Sequence, residues 1–306
     1  MIYRGRFAPS PTGPLHFGSL VAAVGSYLEA RCNNGKWLVR IEDIDGPRCK
    51  PEWADDILRT LEAFGFEWDG DPAYQSQRLS LYQDAIANLT LNDYIYPCGC
   101  SRKEIADSSM QGVEGAVYPG TCRNGLAPNR SPRALRVRTN SEVVSFTDTV
   151  RGEIQQNVET MIGDFVVRRA DELVAYQLAV VVDDAEQGVT HVVRGADLLL
   201  STPRQIHLQK LLRLPTPHYA HLPVAVNAAG EKLSKQTNVA AIPLTNTAET
   251  LSRSLFFLGH PPPARLPLKE LWQWAFTNWN LAKVPVRDKI PIASSGNLSN
   301  EAISTI

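Results

Sequence analysis

Two segments far apart in the chain carry the residue types that handle a nucleoside triphosphate. The first is R-F-A-P-S-P-T-G-P-L-H-F-G-S, residues 6–19. It runs from a short strand through a Pro/Gly-rich turn into a helix N-terminus. There, unpaired backbone N–H groups and the positive end of the helix dipole suit a phosphate. His16 can donate to a phosphate oxygen, Gly18 allows close backbone approach, and Ser19 follows. An isolated H-x-G is weak evidence and reads more readily as a capping histidine in a turn. The second segment is Lys232-Leu233-Ser234-Lys235-Gln236, just after Gly230. Two lysines around a small serine suit a loop that neutralises a triphosphate as charge shifts in the transition state. Alone it would read as a solvated basic turn. Together, the pair marks His16, Gly18, Lys232 and Lys235 as catalytic candidates. ATP contacts are expected from His16, Gly18, Ser19, Ser234 and Lys235.

A different chemistry is suggested by Cys98, Cys100 and Cys122, which lie in a Gly/Pro-rich stretch. Three thiolates in a segment too small for its own core fit a structural metal knot. The residues leave the fourth ligand open, since histidine is absent nearby and tyrosine is an uncommon zinc ligand. Three free thiols remain the alternative. Cys32 and Cys49 read as small buried hydrophobes.

The elements that must position these groups alternate. A strand at Arg4–Ala8 precedes a helix from about Leu15, with Asn34-Gly35 as its stop. A strand follows at Trp37–Ile41, then a helix opened by Pro51 with Gly65 just beyond it. This pattern predicts an α/β fold, a Rossmann-type parallel sheet with helical crossovers. Residues 94–140 break it and read as an insertion. Strands are expected at 134–138, 165–169 and 190–193. Another, from Leu173 to Val182, reads as buried and would contain Tyr176. A helix is expected at about 203–212. Leu268, Leu271, Trp272, Ala275, Phe276 and Trp279 share one face of a later helix that should pack back on the body. The expected divisions are 1–93 and 163–244 as the two halves of the catalytic domain, 94–162 as the insertion, and 245–306 as a short helical C-terminal region whose end from about Lys283 lacks periodicity.

Composition sets the outer bounds. The 306 residues include 31 Lys and Arg against 32 Asp and Glu, giving a net charge of −1, which points away from a protein that coats nucleic acid. A local basic face remains open, offered by Arg123, Arg130, Arg133, Arg136 and Arg138; the alternative for these is a solvated surface. Five sparse cysteines fit a reducing compartment. No secretion signal and no apolar run of roughly 20 residues is evident, so a cytoplasmic protein is expected, and a monomer.

The order of the motifs narrows the reading. Residues 6–16, R-I-E-D-I-D-G-P-R (40–48), A-Y-Q-L-A-V-V-V-D-D (175–184), T-H-V-V-R-G-A-D-L-L-L-S-T-P-R-Q (190–205) and the 232–236 loop resemble the class I aminoacyl-tRNA synthetases, specifically their glutamyl branch. The resemblance implies activation of L-glutamate by ATP with Mg²⁺. It assigns glutamate binding to Arg6, Ala8, Ser10, Glu42, Tyr176 and Arg194. Chemically, glutamate needs one acid for its ammonium and two bidentate donors for its carboxylates. Glu42 suits the first, and Arg6 and Arg194 the second, in either order. The resemblance also favours Tyr118 as fourth ligand of one structural Zn²⁺ with Cys98, Cys100 and Cys122. Ser19 departs from the family pattern, which has a second histidine there. Only residues 237–306 follow the second motif, too few for the family's large anticodon-reading domain. In this the chain is similar to the glutamyl-queuosine members, which activate glutamate without tRNA and esterify the queuosine of tRNA(Asp). A glutamyl-tRNA synthetase charging a tRNA 3′ end and a non-catalytic regulatory paralogue are the alternatives.

Overall fold

The computed structural model describes residues 2–108, 110–112, 115–227, 229–231, 241–263 and 265–292. Its first half is β1 (Arg4–Phe7), α1 (Phe17–Cys32), β2 (Lys36–Ile41), α2 (Pro51–Ala63) and the short β3 (Ala73–Tyr74), with β1, β2 and β3 paired in parallel. α3 (Leu79–Leu91) then leads to β4 (Ile95–Cys98), α4 (Arg102–Ser108), the two-residue strands β5 (Gln111–Gly112) and β6 (Gly115–Ala116), and β7 (Ala134–Val137). β8 (Val143–Asp148), β9 (Gly152–Asn157), α5 (Val158–Met161) and β10 (Val166–Arg168) follow. After them come α6 (Tyr176–Glu186), β11 (His191–Gly195), α7 (Thr202–Leu212), β12 (His218–Leu222) and β13 (Val224–Val226). The chain closes with α8 (Thr247–Phe257), α9 (Leu268–Asn278) and β14 (Lys289–Pro291).

Parallel pairing continues in a second sheet, β11 on β12 on β8, with β9 antiparallel at its edge. The two sheets abut where β1 meets β11. Arg4 N donates to Thr190 Oγ1 at 2.8 Å, and Thr190 N donates to Arg4 O at 2.9 Å. α1 lies across this junction and packs on both strands. Its small residues permit that closeness: a Cβ on Gly25 would stand 2.4 Å from the buried Leu222 side chain of β12. The helix stops at Asn34, whose φ is +51°, followed by Gly35. The main core joins α1, Trp37, Val39 and Ile41 of β2, and Ile57 and Leu61 of α2. A second core surrounds Leu178, Val192, Leu208 and Tyr219.

The antiparallel sheet β10-β7-β4 carries the cysteine-bearing segment. Pairing crosses position 162 in both directions. β8 and β9 join the second parallel sheet, and β10 closes the antiparallel one. α9 packs back as its pattern predicts. Trp272 donates to Phe64 O at 2.8 Å and stacks edge-on with Tyr27 at 5.2 Å, and Trp279 donates to Glu29 at 2.7 Å. Beyond Lys283 the chain still makes a strand, β14, paired in parallel with β13; residues 293–306 lie outside the described residues.

One expected strand is a helix. Leu173–Val182 reads as β from its valines, yet Tyr176 opens α6. Leu178, Ala179, Val180 and Val181 are all buried, so the helix has no solvent face to reveal its period, and β-propensity misleads where packing surrounds a segment. A helix also turns the adjacent Asp183 and Asp184 toward common partners, whereas a strand would point them to opposite faces.

Candidate active site

A cavity of about 410 Å³ opens where β1, β2 and β11 end and α1 and α6 begin, the usual ligand position in an open α/β sheet. Arg6, Ala8, Ser10, His16, Gly18, Ser19, Glu42, Tyr176 and Arg194 all line it. Lys232, Ser234 and Lys235 lie outside the described residues. The strand that leads to them, β13, contributes Val224 and Ala225 to the wall.

At one end of the cavity, His16 is the N-cap of α1. Its Nδ1 accepts from Ser19 N at 3.3 Å, and its Nε2 lies 3.2 Å from Ser19 Oγ. Capping and lining the cavity are thus combined in one side chain. Gly18 serves that ring: a Cβ there would press within 3.3 Å of the imidazole. Ser19, where the family pattern has histidine, is a hydrogen-bond partner of His16.

At the other end, a buried cluster alternates in charge. Arg6 grips Asp184 through Nε at 3.1 Å and Nη2 at 3.3 Å. Arg40, with no exposed surface, reaches Asp184 Oδ1 at 2.8 Å and Glu42 Oε1 at 3.3 Å. Asp183 accepts from Gln75 at 2.6 Å, and from Arg78 and Tyr82 at 2.7 Å each. Three arginines therefore face three carboxylates, and burial is tolerable because each charge has a partner. Burial alone would raise the Asp184 carboxyl, but Arg6 and Arg40 hold it below its ordinary value. Burial wins at Glu42 and pushes that carboxyl up despite Arg40. An ammonium group beside it would favour the anion.

Arg194 is held differently, with Nη2 donating to Gln205 Oε1 at 2.8 Å and Thr202 Oγ1 at 2.9 Å, and Nη1 reaching Tyr176 Oη at 3.5 Å. Tyr176, Thr202, Gln205 and His221 supply the side chains it contacts, and Asp197, three positions along, is not one of these. Arg40, Asp183, Asp184, Gln205, Thr202 and His221 were assigned no role from sequence. All of these but His221 lie inside the quoted motifs, but nothing local connects Arg40 to Asp183, 143 positions later.

The three cysteine Sγ atoms of Cys98, Cys100 and Cys122 lie within 4.8 Å of one another, the one such ligand group among the described residues. Tyr118 Oη stands 3.4 Å from Cys98 Sγ and 3.8 Å from Cys100 Sγ, and accepts from Cys122 N at 2.9 Å. Tetrahedral zinc with bonds near 2.3 Å needs ligand atoms about 3.8 Å apart, so the set fits that ion. Two cations lie beside the sulfurs: Arg136 Nε is 3.3 Å from Cys98 Sγ, and Arg130 Nη1 is 3.5 Å from Cys100 Sγ. Burial would raise the Cys98 thiol, yet hydrogen bonds from Tyr118, the Cys100 backbone and Arg136 bring it below its ordinary value.

The expected basic face is largely spent inside the fold. Arg136 is buried over the Tyr118 ring. Arg123 pairs with Asp164 at 2.7 Å, Arg138 with Asp93 at 3.3 Å, and Arg130 with Glu104. Arg133 is exposed. The two remaining cysteines are not core residues either, since Cys32 is exposed and Cys49 half-buried.

A parallel sheet, a helix-capping histidine and an acid-and-arginine cavity define a class I amino-acid-activating domain. The chain belongs to the class I tRNA synthetases of the E and Q type, whose catalytic-domain model matches residues 3–251; it is an enzyme, of the ligase type. Its curated relatives are more particular. It is 58% identical to the glutamyl-Q tRNA(Asp) synthetase of Aromatoleum aromaticum, across 92% of this chain and 90% of that one. The protein of the same name from Chromobacterium violaceum is 57% identical, over 93% and 96%. That of Neisseria meningitidis serogroup A is 54% identical, over 93% and 98%. Among solved structures, a glutamate-tRNA synthetase from Elizabethkingia anophelis shares the fold with a TM-score of 0.81 at 23% identity, covering 100% of this chain and 73% of the other. No helix among the described residues is long and apolar enough to cross a membrane.

Proposed function

We propose that the protein activates L-glutamate with ATP in the absence of tRNA, then transfers the glutamyl group to the cyclopentenediol of queuosine in the anticodon of tRNA(Asp). What carries this reading is the high identity, over nine-tenths of the chain, to proteins named for that activity, joined to a cavity whose charges suit glutamate.

The glutamate α-carboxylate attacks the ATP α-phosphate in line and pyrophosphate leaves. The nucleophile is already an anion, so no general base is required, and catalysis is positioning and charge stabilisation. Glu42 receives the ammonium. Arg6 and Arg194 receive the two carboxylates, and Tyr176, Ser10 and the backbone at Ala8 complete the pocket. Arg6 presents a charge half-satisfied by Asp184, whereas Arg194 presents one held only by neutral groups. His16 and Gly18 face the phosphates, with Ser19 orienting the imidazole; the charges of Lys232 and Lys235, with Ser234 between them, would neutralise the triphosphate. Mg²⁺ carried by ATP would shield phosphate charge. In the second step a diol oxygen attacks the adenylate carbonyl carbon, its proton is lost, and AMP departs.

Cys98, Cys100, Cys122 and Tyr118 would hold one structural Zn²⁺, whose contribution is to tie β4 to the loop before β7. ATP and tRNA are cytoplasmic substrates, and we place the enzyme there.

Glutamate-dependent ATP–pyrophosphate exchange without tRNA tests the first step. The reading expects exchange with glutamate and its loss in Arg6→Ala. Exchange that strictly requires tRNA(Glu) would instead favour a tRNA-charging glutamyl enzyme.

A further inference from the structure

Arg194 is 5% exposed and lines the cavity, yet among the described residues none of its contacts is a carboxylate. A buried guanidinium with only neutral partners depends on how those partners are oriented. One of them can take two forms. Arg194 Nε donates to His221 Nε2 at 3.1 Å, and an imidazole nitrogen can accept only while it carries no proton.

His221 is fully buried on β12, and its Nδ1 lies 2.6 Å from Asp148 Oδ2 at the end of β8. The other oxygen of Asp148, Oδ1, takes the backbone N–H groups of Val150, Arg151 and His221 at 3.0, 2.9 and 3.2 Å. Those three donors fix the carboxylate and aim Oδ2 at the ring. An ionised carboxylate only accepts, so the ring proton sits on Nδ1 and the Nε2 lone pair faces Arg194. Burial keeps the ring neutral, holding His221 down at about 4 despite Asp148.

We propose that Asp148 and His221 are positioning residues that set the donor geometry of Arg194 for the substrate carboxylate, by locking the imidazole in the tautomer that accepts from Nε. This leaves both Nη groups directed to the Tyr176 side and the α7 side of the cavity. It rests on the reading of Arg194 as a carboxylate receptor.

The decisive variant is Asp148→Asn. Its Oδ1 can keep the three backbone bonds, while its amide NH2 replaces Oδ2. That amide donates to Nδ1 and drives the ring proton to Nε2, against the Arg194 Nε–H. In pyrophosphate exchange, the KM for glutamate should rise about ten- to a hundredfold, with KM for ATP and kcat at saturating glutamate within about twofold. In a His221→Gln background, the glutamine oxygen can turn to Arg194 whatever stands at 148, so adding Asp148→Asn should change the glutamate KM no further. On the unaltered protein, ¹⁵N chemical shifts should show the His221 proton on Nδ1; a proton on Nε2 overturns the proposal even if the variants do not fold. An unchanged glutamate KM in Asp148→Asn, or equal rises for glutamate and ATP, overturns it too. Arg194→Ala separates the two readings. A raised glutamate KM there beside a normal one in Asp148→Asn removes only the positioning role. A normal KM in Arg194→Ala removes the receptor reading and the proposal with it.

Discussion

Arg40 has no exposed surface and reaches Asp184, Glu42 and Asp183. Removing it would leave these carboxylates facing one another in a poorly solvated site. Breaking a buried pair from one side costs about 3–5 kcal/mol, so Arg40→Leu should lower the unfolding free energy by that amount in urea titration. A loss under about 1 kcal/mol would mean the cluster is better hydrated than its burial implies. Residue chemistry was legible in sequence where it was local. His16, Gly18 and Ser19 fall within one turn, and their spacing alone put them at one helix N-terminus. Arg40 and Asp184 stood inside recognised motifs, but their meeting depends on a helix that valines disguised. Asp148 and His221 gave no signal, because a lone Asp and a lone His 73 positions apart meet only through the pairing of β8 with β12.

Among the elements, the cysteine-bearing segment depends on a close backbone crossing. Gly163 has φ +77°, and a Cβ there would lie 2.6 Å from Tyr118 O. The neighbour is main chain and cannot turn aside. Gly163→Ala should therefore displace Tyr118 and lower both the thermal midpoint and the retained zinc, read by metal analysis of the purified protein. Chelation should act on the same element. Loss of a zinc ion held by Cys98, Cys100 and Cys122 would remove the tie between β4 and its loop, so on the proposed zinc reading a strong chelator should lower the midpoint of the native enzyme. Stoichiometric metal absent from carefully purified protein would sink that assignment. The thiol cluster was visible as three cysteines in a Gly/Pro-rich stretch. The internal use of Arg123, Arg136 and Arg138 was not, since their partners Asp164 and Asp93 lie on other elements.

For the molecule as a whole, buried histidines set the response to acid. His191 and His221 are each held at about 4, and His207 and His260 are also lowered, in every case chiefly by burial. The unfolded chain binds these protons near pH 6.5 and the folded one does not, so stability falls as pH drops through the window from about 6.5 to 4. Asp148 and Asp184, both lowered, lose their contribution in the same direction at lower pH; Glu42, raised by burial, opposes it. His221 alone corresponds to about 2 kcal/mol between pH 7 and pH 5. Calorimetry across that range should show a falling midpoint, and a flat profile would place these rings in contact with water. The overall α/β plan was readable from strands alternating with capped helices. The way the two sheets abut at Arg4 and Thr190, and the return of β14 onto β13, depend on distant backbone pairing that no local pattern records.

The central claim concerns where the activated glutamate goes. Purified enzyme, ATP and labelled glutamate should be incubated with tRNA(Asp) prepared with and without queuosine, and the label located on the RNA. Label on the queuosine-bearing tRNA alone, in its anticodon, is the predicted result. Label on the 3′ end, or equal label on both tRNAs, would contradict it.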